Sequence, residues 1–189
     1  MLKTWTVRVK PAPLPDGACM TKKVYHQYWF WYLAAFVVFL LDQGSKHWIE
    51  AAFDYNETKV FTSFFNFTLR YNPGAAFSFL ADAGGWQRWF FTIVAVAASV
   101  LLIVWICRVA SSKPREAFAL SFILGGAVGN LYDRIIHGHV VDFIVVHYQD
   151  YYWPAFNLAD AAISLGAMVL IADLFINPDK TSGEKPTNA

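Results

Sequence analysis

Two aspartates, Asp142 and Asp160, lie in a stretch (residues 125–166) that otherwise has the composition of membrane-embedded protein. A carboxylate in hydrocarbon costs about 2.5–3.5 kcal/mol on insertion scales, so an ionisable residue there usually marks a functional site. Two carboxylates held about 3 Å apart cannot both ionise, and such a pair shares one proton near neutral pH. One group then activates a water molecule while the other protonates a carbonyl oxygen. The pattern predicts an aspartyl protease dyad, with purely structural burial of each acid as the alternative.

Three polar residues beside the first of these acids share one face of a predicted helix. Asn130, Asp133 and Arg134 stand at positions i, i+3 and i+4. A neighbouring positive charge favours the ionised carboxylate, so we expect Asp133 to stay charged and to pair with Arg134. Such a buried pair would orient the site and take no part in the reaction. Asn157, three residues before Asp160, is expected on the face that carries that acid.

Metal binding is the main chemical alternative. Four potential ligands stand close together in sequence, and His-x-His is a common ligand spacing; they are His137, His139, Asp142 and His147. Histidines at a membrane interface are more often simply hydrated. The chain has no G-x-S-x-G nucleophile motif, no Walker A motif and no dinucleotide fingerprint.

The composition of the chain indicates a membrane protein. Its 189 residues, enough for one domain, are 57% hydrophobic, 18% aromatic and only 15% charged. Soluble domains are about 25% charged. The eight Trp and seventeen Phe fit aromatic belts at the two interfaces. A net charge of +1 gives no reason to expect a nucleic acid partner.

Four apolar segments are predicted to cross the bilayer as helices, the third of them shorter than the others. They are residues 28–49, 89–107, 117–132 and 152–176. Asp42 and Lys46 stand at i and i+4 in the first segment, where we expect an intrahelical ion pair near the membrane surface. Gly125, Gly126 and Gly129 in the third segment should allow close helix packing. The predicted fold is an all-α membrane protein of four transmembrane helices.

The segment between the first two spans predicts a small β-containing platform at about residues 50–88. Apolar and polar residues alternate over 65–72, which is typical of a half-buried strand. Asn72, Pro73 and Gly74 then predict a turn. Small residues follow in 74–78, and they would let an extended ligand approach the backbone closely.

Basic residues predict the orientation. The N-terminal tail has five, the flank and turn after the second span have three, and residues 133–153 have only Arg134. Both termini should therefore be cytoplasmic, while the platform and the acidic cluster lie on the opposite, periplasmic or extracellular side. We expect residues 1–27 and 177–189 to be disordered cytoplasmic tails around a membrane domain at 28–176.

Five sequence blocks, in order along residues 40–171, resemble those of the bacterial lipoprotein signal peptidases, also called signal peptidase II. The blocks are residues 41–43 with Lys46, 72–78, 129–134, 140–143 and 156–160. Departures from the family pattern are the long N-terminal tail and Pro73, where other members vary. Neither departure touches the two acids.

The resemblance implies a four-helix aspartyl endopeptidase of the bacterial inner membrane. Such enzymes remove the signal peptide from prolipoproteins by cutting before the diacylglyceryl-modified cysteine. The resemblance makes Asp142 and Asp160 catalytic. It also implies lipid contact, no metal cofactor and inhibition by the cyclic peptide globomycin. The implied substrate-lining residues are Asn72, Gly74, Asn130, Arg134 and Asn157, and the implied supporting residues are Asp42, Lys46 and Asp133.

Two other classes of protein remain as alternatives at this point. A small proton-coupled transporter would use the same acids as a relay, but it should show internal repeats and charges at mid-membrane, and the sequence has neither. A non-catalytic membrane scaffold would leave the paired acids opposite a Gly-Ala-Ala loop unexplained.

Overall fold

The computed structural model describes residues 22–74 and 85–176, with side chains described from residue 28 onward. Within these ranges the chain forms four helices and four strands. They are α1 Lys22–Ala52, β1 Thr58–Thr62, β2 Phe65–Asn72, α2 Trp86–Val109, α3 Pro114–Ile136, β3 Val140–Tyr148, β4 Tyr151–Tyr152 and α4 Leu158–Ile176. The predictions for residues 1–21, 75–84 and 177–189 fall outside the described residues. Helix α1 already begins inside the stretch that the sequence analysis assigned to the N-terminal tail.

Helix α3 lies at the centre of the helical part and packs against the other three helices. Its glycines make this possible, as the sequence predicted. A Cβ on Gly125 would collide with the carbonyl oxygen of Ala35 in α1, and one on Gly126 would collide with the carbonyl oxygen of Ala159 in α4. The backbones therefore approach more closely than any other residue would allow.

The strands form one antiparallel sheet in the order β1-β2-β3-β4. The alternating stretch at 65–72 is strand β2, as predicted. Strand β3 was not predicted from the sequence. Its run Val-Val-Asp-Phe-Ile-Val-Val has no alternation because β3 is paired on both edges and its first four residues are all buried.

Two helices, α2 and α4, are long and apolar enough to cross a membrane by length and composition. Helices α1 and α3 are long as well, but Asp42 and Lys46 interrupt the apolar stretch of α1, and α3 has charged residues at both ends. On α2, large apolar side chains such as Ile93 and Leu101 are 67% and 69% exposed, which suits contact with lipid. The predicted start of the fourth span at residue 152 is wrong. Tyr151 and Tyr152 belong to β4, and α4 begins only at Leu158.

Candidate active site

The sheet and α4 bring the two acids predicted to be catalytic, Asp142 and Asp160, into one site. Asp142 is the third residue of β3, and Asp160 lies in the first turn of α4. Asn157 precedes that helix and caps it reciprocally: its Oδ1 accepts from the Asp160 backbone N–H at 2.9 Å, and its own backbone N–H donates to Asp160 Oδ2 at 3.3 Å. The capping geometry therefore fixes the rotamer of Asp160.

Asn157 also joins the two acids. Its Nδ2 donates to Asp142 Oδ1 at 2.7 Å, and the residue is fully buried. Since its Oδ1 already accepts from the α4 backbone, only the amide nitrogen is free to turn toward Asp142. One residue thus contacts both carboxyl groups, that of Asp142 through its side-chain amide and that of Asp160 through its backbone N–H. Asn157 therefore lies just before α4, not on one of its faces, and it contacts Asp160 from the N-cap position.

Two further amides complete the set of donors. Asn72 donates to Asp142 Oδ2 at 2.9 Å, and its Oδ1 accepts the Gly74 N–H at 2.9 Å. The predicted turn therefore also orients the Asn72 amide. Asn130 donates to Asp160 Oδ1 at 2.8 Å. Its Oδ1 must face Lys46, which carries only donors and lies 3.0 Å away.

The electrostatics of Asp142 favour a retained proton. The residue is 3% exposed, and burial, followed by the nearby charge of Asp160, raises the pKa of Asp142 to about 7. Hydrogen bonds from Asn72 and Asn157 and the charge of Lys46 act in the opposite direction. Asp160 is half-buried and so remains accessible from one side. Near neutral pH the pair can hold one proton between a donor and an acceptor carboxyl.

A buried ionic cluster lies beneath the pair. Lys46 Nζ is 2.8 Å from Asp42 Oδ2 and 2.7 Å from Asp133 Oδ2, and all three side chains are at most 2% exposed. The predicted Asp42–Lys46 pair is confirmed, although it is buried among helices. Asp42 Oδ1 also accepts the Ala159 N–H at the start of α4 at 2.9 Å. The cluster therefore ties α1 to α3 and to the helix that carries Asp160.

The predicted pairing of Asp133 with Arg134 is wrong. Adjacent residues on a helix point in different directions, so neither faces the other. Asp133 meets Lys46, whereas Arg134 donates to the backbone oxygens of Asn130 at 3.1 Å and Gly74 at 2.9 Å. Its buried Nε has no hydrogen-bond partner among the described residues.

Gln43 is a site residue that sequence reasoning missed. Its Nε2 donates to Asp133 Oδ1 at 2.9 Å and reaches the Gly129 oxygen and Asp42 Oδ2 at 3.3 and 3.2 Å. The side chain is 8% exposed. A glutamine directly after an acid in an apolar run was the available signal.

The four candidate metal ligands are not brought together. The His139 ring lies against Tyr71 at 4.2 Å between centroids, and the His147 ring stacks on Tyr152 at 4.7 Å. Within residues 22–74 and 85–176, no group of three or more His, Cys, Asp or Glu side chains is arranged to hold a metal ion. Asp142 instead takes its hydrogen bonds from amides.

Comparisons with known proteins identify the family of the chain. A family model described as signal peptidase (SPase) II matches residues 34–176. The lipoprotein signal peptidase of Pseudoalteromonas atlantica is 51% identical over 148 residues, which cover 78% of this chain and 90% of that protein. The lipoprotein signal peptidase of Teredinibacter turnerae is 55% identical over 143 residues, which cover 76% of this chain and 85% of that protein.

Solved structures agree as well. A bacterial membrane enzyme determined by the in meso method at 2.3 Å resolution matches with a TM-score of 0.72 and 28% identity, over 82% of this chain and 93% of that one. A second, at 1.9 Å, matches with a TM-score of 0.68 and 30% identity, over 78% and 94%. The fold, the site and the sequence relatives lead to one assignment: this chain belongs to the signal peptidase II family, the lipoprotein signal peptidases.

Proposed function

We propose that this chain is a membrane aspartyl endopeptidase that removes the signal peptide from prolipoproteins, cutting immediately before the diacylglyceryl-modified cysteine. The observation that carries the proposal is the bridge made by Asn157, which binds Asp142 through its amide and Asp160 through a helix cap. Two acids held in this way, one with a pKa of about 7, suit shared-proton hydrolysis of a peptide bond.

The mechanism assigns opposite roles to the two acids. Asp160, ionised and accessible, takes a proton from a water molecule as the water oxygen attacks the scissile carbonyl carbon. Asp142 gives its proton to the carbonyl oxygen, and a tetrahedral diol forms. Asp160 then passes the proton it gained to the leaving nitrogen as the C–N bond breaks. Asp142 recovers a proton from the diol hydroxyl, so the pair ends in its starting state.

The remaining site residues prepare this chemistry. Asn72, Asn130 and Asn157 orient the carboxyl groups, and Gly74 and Arg134 form the wall on which an extended substrate would lie. The cluster of Asp42, Lys46 and Asp133 supports the pair from below. The site uses no metal or other cofactor. Partners are diacylglyceryl-modified prolipoproteins, membrane lipid and globomycin-type inhibitors.

The proposed location is the bacterial inner membrane, crossed four times, with α1 and α3 as spans beside α2 and α4. Lys46 of α1 and Asp133 of α3 are turned into the protein, where they pair. Both termini, including the tails at 1–27 and 177–189, would be cytoplasmic. The membrane domain is 28–176, with the platform at about 50–88, and its active site faces the periplasm. A site there meets a signal segment whose lipid anchor stays in the outer leaflet.

Reporter fusions test this topology. A fusion at Gln149, in the turn between β3 and β4, should report the periplasm, and a fusion after Lys180 should report the cytoplasm. The basis is the excess of basic residues on the proposed cytoplasmic side. A cytoplasmic reporter at Gln149 would contradict both the orientation and the position of the site.

The proposed activity predicts a single cleavage point and a dependence on lipid. Purified protein should convert a diacylglyceryl-modified prolipoprotein to a product whose first residue is the modified cysteine, and mass spectrometry of the product checks this. The matched substrate without the lipid should remain uncut, and globomycin should block the reaction. Cleavage at another peptide bond, or equal cleavage of both substrates, would reject the proposed specificity.

The activity should decrease as the pH rises above neutral. Below about 7, Asp142 holds the proton that the carbonyl oxygen needs, and above it both acids are ionised. We therefore expect kcat/KM to decline as pH rises through the pKa of Asp142, measured by initial rates of prolipoprotein cleavage from pH 5 to 9. Because this pKa is raised from 3.8, the folded state binds more protons than the unfolded state between 3.8 and 7, and rising pH lowers stability over that window. A rate that climbs steadily to pH 9 would contradict the assignment.

A further inference from the structure

Arg88, in the first turn of α2, makes a contact that the proposed mechanism does not use. Its Nε donates to the backbone oxygen of Arg134 at 2.8 Å, and its Nη2 donates to the backbone oxygen of Ile135 at 2.8 Å. The guanidinium group thus donates hydrogen bonds to two successive backbone carbonyls at the end of α3. A cation is also favoured at this negative end of the helix dipole.

The end of α3 leaves those carbonyls in need of donors. The amides of both His137 and Gly138 bond to the backbone oxygen of Asp133, so the last turn tightens around that one acceptor. The carbonyls of Arg134 and Ile135 follow it and receive the Arg88 fork. Arg88 therefore serves as the C-terminal cap of α3 from another helix.

Gly138 leaves room for this cap. Its φ of +82° is a conformation that side chains disfavour, and a Cβ there would lie 3.1 Å from Nη1 of Arg88. The chain turns at this glycine from α3 into β3, the strand that carries Asp142. Arg88 thus packs directly against the junction between the two elements.

The same helix also contacts the Arg134 side chain. Its guanidinium lies 5.6 Å from the centroid of the Phe91 ring, one turn after Arg88 on α2. Nη2 of Arg134 donates to the backbone oxygen of Gly74, just after β2. Arg134 is accordingly held at its backbone by Arg88, over its guanidinium by Phe91, and at its tip by Gly74.

We propose that Arg88 is a positioning residue for substrate binding: it fixes the last turn of α3 so that the Arg134 side chain stays directed at Gly74. This inference rests on the proposed function, because it assigns a substrate to the wall formed by Gly74 and Arg134. Arg88 makes no hydrogen bond to either acid in the described residues, whose amide donors come from β2, α3 and the start of α4. Its loss should weaken substrate binding and leave the chemical step largely intact.

The experiment is a double-mutant cycle between Arg88 and Arg134. Arg88→Lys keeps the charge but removes the two-pronged donor, and Arg134→Ala removes the side chain while keeping its backbone carbonyl. Binding of a fluorescent diacylglyceryl-modified prolipoprotein is measured on an Asp142→Asn background, so that weak variants remain measurable. Steady-state cleavage by Arg88→Lys with intact Asp142 gives kcat and KM separately. Arg108→Lys, an exposed arginine near the opposite end of α2, is the matched control.

We expect Arg88→Lys to raise Kd and KM about tenfold with kcat changed less than about threefold, and Arg108→Lys to change neither. In the Arg134→Ala background, Arg88→Lys should change Kd less than about twofold, because the side chain through which it acts is gone. Additive effects of the two changes, an unchanged Kd, or a reduced folded yield with normal Kd would overturn the inference. Failure of the unmodified protein to cleave would instead reject the proposed function.

Discussion

Asp142→Asn should abolish turnover while leaving the protein folded. The change preserves the shape of the side chain but removes the proton donor to the carbonyl oxygen. Positioned proton transfer contributes about 10²–10⁴-fold to a rate, so the loss of this proton donor should cost at least that much. One of the two amide hydrogen bonds to this side chain is lost, which costs about 1 kcal/mol. Steady-state cleavage of lipidated prolipoprotein measures the effect, and globomycin binding reports an intact pocket.

Asp160→Asn should have the same consequence, and the two changes together should be no worse than either alone. Residues that act as one unit show strongly non-additive losses, because the first change already removes the shared-proton chemistry. A double variant that is slower than either single variant by the product of their effects would mean that the acids act independently. The kcat values of the three variants, measured at saturating substrate, decide between these outcomes.

Lys46→Met should destabilise the protein more than any other single change proposed here. Lys46 is 1% exposed and neutralises Asp42 and Asp133, which are 0% and 2% exposed. Breaking a buried ion pair by removing one partner costs about 3–5 kcal/mol, because the remaining charge is left uncompensated. The free energy of unfolding in detergent micelles, or the folded yield after purification, measures the loss.

Lys59→Met provides the matched control. Lys59 pairs with Glu57 at 3.2 Å, but its side chain is 54% exposed, so solvent screens the interaction. Exposed pairs contribute about 0–1 kcal/mol. Adding Asp133→Asn to Lys46→Met should recover part of the stability, since it removes one of the two unpaired acids. Equal effects of Lys46→Met and Lys59→Met would show that the buried cluster does not hold the helices together.

Local patterns predicted the parts of the fold that depend on neighbours in sequence. Alternation over 65–72 predicted β2, the i,i+4 spacing predicted the Asp42–Lys46 pair, and the glycines of α3 predicted close packing. The sequence also carries an unused signal for the true start of α4, because an asparagine three residues before an acid is a capping pattern. The sequence analysis placed that start too early because the aromatic residues before Pro154 continue the apolar run.

Interactions between distant segments could not be predicted in this way. The partner of Asp133 is Lys46, far away on α1, whereas the charge next to it in sequence is Arg134. The sequence of β3 alone does not distinguish a strand from a loop or a short helix, and its pairing with β2 and β4 decides the conformation. The hydrogen bonds from Arg88 to α3 could not be predicted from the sequence, because their acceptors are backbone carbonyls, which every residue carries. Each of these contacts is set by the tertiary arrangement of the elements.

The most direct measurement compares lipidated prolipoprotein cleavage by Asp142→Asn and Asp133→Asn, each normalised to the fraction that binds globomycin. Asp133 is bonded to Lys46 and Gln43 and stands in the supporting cluster, whereas Asp142 is bonded to two amides and shares Asn157 with Asp160. We expect no turnover per binding-competent molecule for Asp142→Asn. For Asp133→Asn we expect a lower folded yield, with substantial turnover in the molecules that fold. Near-normal turnover by well-folded Asp142→Asn, with complete loss in equally well-folded Asp133→Asn, would instead place the reacting pair at Asp133 and Asp160.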